Sequence, residues 1–124
     1  MSNKSSGNDF EHDFAQLLAD KGYWVHRIRD NQNGQPFDII ACKDNIPYVF
    51  DCKVCMGELF ALSRIEDNQR YAMARFLQTG NMHCYFALRF GKEILTVHFL
   101  DLERQRASNI RVDELRRLNI WKQL

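Results

Sequence analysis

Four apolar residues near the start of the chain, Phe10, Phe14, Leu17 and Leu18, recur at helical spacing and predict an amphipathic helix. Asp9 stands where its N-cap belongs and Gly22 where its C-terminal stop belongs. Residues 23–28 read as a strand, and the polar run Asp30-Asn31-Gln32-Asn33-Gly34-Gln35 as a loop. Two β-branched and aromatic stretches follow, 37–42 and 46–54, separated by Lys43-Asp44-Asn45. A second helix is predicted over 63–78, with Ile65, Ala72, Met73 and Phe76 as its apolar stripe and Gly80 closing it. Residues 82–90 and 93–100 pattern as a hairpin around Gly91-Lys92, and 101–124 as an arginine-rich helical tail. The order α-β-β-β-α-β-β-α predicts an α/β fold, a mixed sheet flanked by helices. Residues 1–8, rich in Ser, Asn and Gly, are expected to be a disordered leader before a single domain over 9–124.

A chain of 124 residues has room for one core. No apolar run approaches the roughly 20 residues of a membrane span, and the polar start lacks the apolar segment of a signal peptide, so the expected location is cytoplasmic. Cys42, Cys52, Cys55 and Cys84 are then expected to be reduced and to act as small hydrophobes. The net charge is only +1, but its distribution is uneven. Residues 1–62 carry six Lys/Arg against nine Asp/Glu, and 63–124 carry eleven against seven. An acidic half able to hold a cation precedes a basic half able to meet a polyanion.

Alternation along a strand sharpens that picture. Tyr48, Phe50, Cys52 and Val54 form an apolar face, so Asp51 and Lys53 point the other way. If Asp44-Asn45 is a two-residue turn, counting back in register sets Asp38 opposite Asp51. Two carboxylates so placed repel unless a cation lies between them, and Mg²⁺ binds through one or two carboxylates with water and phosphate oxygens. Without a cation they would be two solvated acids on a wet sheet face. On the first helix Glu11 and Asp13 flank opposite edges of the apolar stripe, and geometry alone does not choose between them. On the second, Gln69 projects from the middle of the buried stripe, where its amide must find partners. Those partners are either local backbone groups or the two aspartates.

Glu11, then Gly34-Gln35-Pro36-Phe37-Asp38-Ile39-Ile40, then Phe50-Asp51-Cys52-Lys53 resembles the pattern of the PD-(D/E)xK nuclease superfamily. The continuation Phe60-Ala61-Leu62-Ser63, with Ile65 and Gln69, looks most like the RecU-type Holliday-junction resolvases. That resemblance implies a restriction-endonuclease-like fold and metal-dependent hydrolysis of DNA phosphodiester bonds. It also implies Mg²⁺, with Mn²⁺ able to substitute. Asp38, Asp51 and Glu11 are the implied metal ligands, and Lys53 and Gln69 complete the catalytic group. DNA, in particular a four-way junction, is the implied partner, with a homodimer presenting two matched sites. Departures are an aspartate at 51 where glutamate is commoner, a loop over 54–59 that lacks cations and carries Glu58, and no room for a stalk-like insertion.

Arg27, Arg29, Arg64, Arg70 and Arg75 are the candidate DNA contacts, with the tail arginines behind them. Either an exposed face of the late strands or the Trp121 tail is the candidate dimer surface. Cys52 and Cys55 form a C-x-x-C, but the first lies within an apolar strand face and no second ligand pair follows at zinc spacing. The alternatives to a resolvase are a restriction-like or repair endonuclease, or a binding module that keeps the fold without cleavage.

Overall fold

The structure, a computed structural model, describes residues 3–28 and 35–121, with side chains from Gly7 onward in the first stretch. Helix α1 spans Asn3–Asp20, starting well before the Asp9 at which the periodicity places its cap. Phe10, Phe14 and Leu18 are fully buried along one side of it. Gly22, at φ 95°, ends the helix: its N–H donates to Ala19 O and the Tyr23 N–H to Leu18 O, satisfying carbonyls the helix leaves open.

Strands β1 (Trp24–Arg27), β2 (Ile39–Lys43) and β3 (Ile46–Cys55) form an antiparallel meander. Asp44 and Asn45 make the two-residue turn, at φ 53° and 68°, and set Lys43 against Ile46 and Ile39 against Phe50. The chain then crosses over through β4 (Leu59–Ala61), a 3-10 turn over Leu62–Arg64 and helix α2 (Asp67–Gln78). Strand β5 (His83–Phe90) returns parallel to β3, and β6 (Glu93–His98) pairs antiparallel with β5. The sheet order is β1-β2-β3-β5-β6, a mixed five-stranded sheet.

Three further boundaries differ from the pattern-based expectation. Helix α2 begins at Asp67 rather than Ser63, because Ile65 is extended (φ −81°, ψ 113°) and breaks the apparent helical run. The ladder of β2 stops at Ile39, one residue short of Asp38. The tail is not one helix but α3 (Phe99–Glu103), β7 (Asn109–Arg111) and α4 (Val112–Leu118), with β7 pairing β4 in a second, two-stranded sheet.

Alternation sends the core to both faces of the large sheet. Ile39, Ala41, Phe50, Tyr85 and Ala87 pack under α1, while Val49, Cys55, Cys84, Phe86 and Leu88 pack with Met73, Leu102, Ile110 and Leu115 on the other side. Of the two candidate dimer surfaces, the late strands are mostly core, and Trp121 is half-buried with Ile120 beside it 38% exposed. Both faces of β5 are buried, and the Trp121 ring packs 6.1 Å from Phe14 and 6.2 Å from Phe50. Cys52 joins the α1 side and Cys55 the opposite side, so the C-x-x-C cannot converge on one ligand, and all four cysteines are free thiols. No described helix is long and apolar enough to cross a membrane.

Candidate active site

The hairpin and the crossover together build the site. Because β3 is central and alternates, Phe50 and Cys52 turn toward α1, and Asp51 and Lys53 turn toward α2. Asp51 is 1% exposed. Its Oδ1 accepts a 3.0 Å hydrogen bond from Gln69 Nε2. Its Oδ2 lies 3.1 Å from Lys53 Nζ but out of hydrogen-bond alignment, and accepts no hydrogen bond from any described residue.

Gln69 is the third residue of α2 and completes its capping box, accepting the Glu66 N–H at 3.1 Å through Oε1. The same Oε1 accepts from Lys53 Nζ at 3.3 Å. One amide thereby terminates a helix, orients the buried carboxylate and holds the lysine. Both partner sets weighed from the sequence, local backbone and the aspartate, are satisfied at once.

Asp38 reaches the same pocket from beyond the end of β2. Its N–H donates to Phe50 O at 2.9 Å and its carbonyl accepts from the Ile28 N–H at 2.8 Å, which pins the backbone just past the ladder. Oδ2 accepts the Cys52 N–H at 2.7 Å, and Oδ1 accepts from Gln35 Nε2. The aspartate lies close enough to Asp51 that burial first, and the Asp38 charge second, push the Asp51 carboxyl up to about 8. Lys53 opposes that shift and does not cancel it. Burial likewise raises the Cys52 thiol well above its ordinary range, keeping it protonated and unsuited to act as nucleophile or ligand.

A pocket of about 260 Å³ opens onto Gln35, Asp38, Asp51, Lys53, Glu66 and Gln69. Two grooves continue from it. One of about 680 Å³ shares Gln35 and runs past Arg27 and His26 to α1, and one of about 490 Å³ shares Cys52 and Lys53 and runs past Met56 and Leu59 to Arg64. The three openings share lining residues around the carboxylates.

Glu11 is not in the carboxylate pocket. It lines the larger groove and pairs with Arg27, whose Nε lies 3.2 Å from Glu11 Oε1, yet it is near enough to act electrostatically on Cys52. Asp13 points elsewhere, 3.9 Å from Arg89 and mostly exposed. Among the described residues no three His, Cys, Asp or Glu side chains gather as a metal cluster.

The predicted cationic contacts divide. Arg27 holds Glu11, Arg70 bonds Glu103 and Leu62 O, and Arg64 donates to Val54 O at 2.8 Å with its guanidinium 5.9 Å from the Phe60 ring. Arg75 is exposed in the last turn of α2, and Arg29 lies outside the described residues. Much of the basic tail is neutralised locally: Arg116 by Glu93 and Asp113, Arg117 by Glu114, Arg111 by Glu58 and Asp113, Arg104 by Asp101. These four arginines therefore stand beside acids rather than as a bare cationic patch.

Two residues that build the pocket escaped the sequence reading. Gln35 sat in a run of loop formers with nothing to mark its amide, although it lies three residues before Asp38. Glu66 fell inside the helix drawn too early, and the signal available was a Glu66…Gln69 spacing typical of a helix start.

Comparison with known proteins gives a family and a fold. The model of the family described as "Archaeal holliday junction resolvase (hjc)" matches residues 2–120. The RecU-type resolvases, to which the Phe60–Gln69 stretch was likened, are not the family matched. Among solved structures, that of Archaeoglobus fulgidus Hjc, a Holliday junction resolvase from an archaeal hyperthermophile, superposes with a TM-score of 0.72 at 20% identity. The match covers 94% of this chain and 98% of that one, and it shows the shared fold. By sequence, no curated protein matches.

Proposed function

The chain belongs to the archaeal Holliday junction resolvase family, and on that premise we propose a divalent-metal-dependent endonuclease that resolves four-way DNA junctions at the Asp38–Asp51–Lys53 pocket. The observation that carries the assignment of the pocket is the Asp51 carboxylate. It is buried beside Asp38, and its Oδ2 has only the Lys53 ammonium beside it, 3.1 Å away and out of hydrogen-bond alignment. Two carboxylates in one pocket, one of them with an oxygen that no aligned hydrogen bond satisfies, describe a place that a further cation completes.

The donor set fits Mg²⁺, a hard cation that takes one or two carboxylates and fills its remaining positions with water and phosphate. Asp38 and Asp51 would hold it, with Mn²⁺ as a substitute, and Glu11 would act from the neighbouring groove through Arg27 rather than as a direct ligand. Bound there, the ion supplies Lewis-acid polarisation of the scissile phosphate. The protein's own groups do the rest. Lys53 Nζ, fixed between Gln69 Oε1 and Asp51, presents a cation where negative charge gathers in the transition state and can orient an attacking water. Gln69 and Gln35 keep the two carboxylates from rotating away. Arg64 and Arg75 are assigned to DNA phosphates, and Arg27 to the groove beyond Gln35. Two copies related by a two-fold axis would present two such sites to the paired strands of a junction, in the cytoplasm.

The test is cleavage of an end-labelled four-way junction and a linear duplex of matched sequence, with Mg²⁺ or with EDTA, by wild type and Lys53→Ala. Paired nicks in the junction alone, lost in EDTA and in the variant, are expected. Equal cutting of the duplex would contradict junction selectivity, and metal-independent cutting would contradict the pocket assignment.

A further inference from the structure

The turn that leads from β3 to β4 carries two exposed apolar side chains that the pocket does not use. Met56 is 82% exposed at its tip and Leu59 45% exposed on the outer side of β4, while Phe60, the next residue, is fully buried. Isolated apolar residues on a surface are ordinary, but these two line the 490 Å³ groove with Val54 and Ala61, and the groove shares Lys53 with the carboxylate pocket. Arg64 stands on its rim, its guanidinium tied to Val54 O and lying over Phe60.

This turn is also backed by a neighbouring strand. β4 pairs with β7, setting Leu59 against Arg111, and the Val112 N–H donates to Glu58 O at 2.8 Å. The negative charge that Glu58 brings to the tip is answered by Arg111 at 3.6 Å. Gly57, at φ 70°, makes the turn with open space around its Cα.

We propose that Met56 and Leu59 form a wedge that inserts against an unstacked base step at the branch point of the DNA, beside the phosphate held at Asp38, Asp51 and Lys53. The proposal rests on the junction-nuclease reading above. A groove with an apolar floor and cations at Lys53 and Arg64 suits a ligand with flat apolar faces and a polyanionic edge. Unpaired bases at a branch offer both, whereas a continuous duplex hides the first. Met and Leu are among the apolar side chains that enter base steps from protein surfaces. Their task would be to select branched over linear DNA.

The experiment measures binding in Ca²⁺, with junction and duplex each carrying 2-aminopurine next to the branch or at the matching position. Wild type is compared with Met56→Ala/Leu59→Ala and with Met56→Lys. Wild type should prefer the junction and brighten its 2-aminopurine. The double variant should melt at the wild-type temperature but lose about tenfold or more of junction affinity relative to duplex, together with the brightening. Met56→Lys, which adds a cation, should lose the brightening even where affinity is kept. Unchanged preference and emission in the double variant would overturn the wedge and leave the junction reading intact. A wild type that does not distinguish junction from duplex would overturn both. If sedimentation shows that the double variant turns a dimer into monomer, the patch is a contact between copies and the wedge is refuted.

Discussion

Asp51→Asn separates what the site costs the fold from what it does in catalysis. In the metal-free protein the Asp51 carboxyl, 1% exposed and beside Asp38, is raised from 3.8 to about 8. A carboxyl whose pKa is higher folded than unfolded favours the fold while it is protonated, and that contribution is lost as pH rises from about 4 through 8. At about 1.4 kcal/mol per tenfold change in acidity the ceiling is ~6 kcal/mol, and relaxation around buried ions lowers this to roughly 2–5 kcal/mol. Asparagine stays neutral at every pH. It keeps a carbonyl for the Gln69 amide and can donate an N–H to Asp38, as a protonated Asp51 would. Melting curves of both proteins in EDTA should nearly coincide at pH 5. At pH 8.5 the variant should melt higher, by ~6–20 °C at about 3–4 °C per kcal/mol for a domain of this size. Mg²⁺ at pH 8.5 should then raise the wild type toward the variant and leave the variant unmoved. Parallel melting curves across the pH range, or a wild type that is the more stable at pH 8.5 without metal, would refute the buried like-charge pair.

Cleavage kinetics carry further predictions. Lys53→Ala should lower single-turnover junction cleavage by about 10²–10³-fold with binding changed only a fewfold, because its cation acts on charge that develops in the transition state; a loss expressed wholly in affinity would contradict that. Asp51→Glu should retain more activity than Asp51→Asn in the same assay, and the reverse ranking would remove Asp51 from the ligand set. Gln69→Leu should cost about 1–2 kcal/mol in chemical denaturation through the broken capping box and also slow cleavage. Gln69→Glu should keep the cap but lower the Mg²⁺ that activity needs, because it adds a carboxylate beside Asp51, and identical metal titrations would speak against contact with Asp51. Asn45→Val places a β-branched residue at φ 68° and should destabilise the fold by about 1–2 kcal/mol, whereas Asn45→Gly should not.

The elements that carry the site were legible where strong patterns coincide. The alternation of Tyr48, Phe50, Cys52 and Val54 and the Asp44-Asn45 turn fixed which face Asp51 and Lys53 occupy, since a register shift would bury both charges under α1. Gln69 was legible because a polar residue in an apolar stripe is conspicuous. What was not legible depended on short or tertiary features. A three-residue strand such as Asn109–Arg111 has no measurable period and exists because Leu59–Ala61 lies beside it. The departure of Asp38 from the ladder is set by the Phe50 carbonyl and the Cys52 N–H, neither of which leaves a mark in composition. Helix geometry did not separate Glu11 from Asp13, and the partner of Glu11, Arg27, is a strand residue sixteen positions away that only the packing of α1 on β1 brings near. Arginine counts left the acids beside the tail arginines unseen for the same reason, because those neighbours are spatial as often as sequential.

The central claim is one cation shared by Asp38 and Asp51, and anomalous diffraction from a crystal soaked in Mn²⁺ tests it most directly. One strong peak about 2.1 Å from an oxygen of each aspartate, absent in Asp51→Asn, is the predicted result. A site occupied only at Glu11, or no ordered Mn²⁺ within reach of both carboxylates, would contradict it.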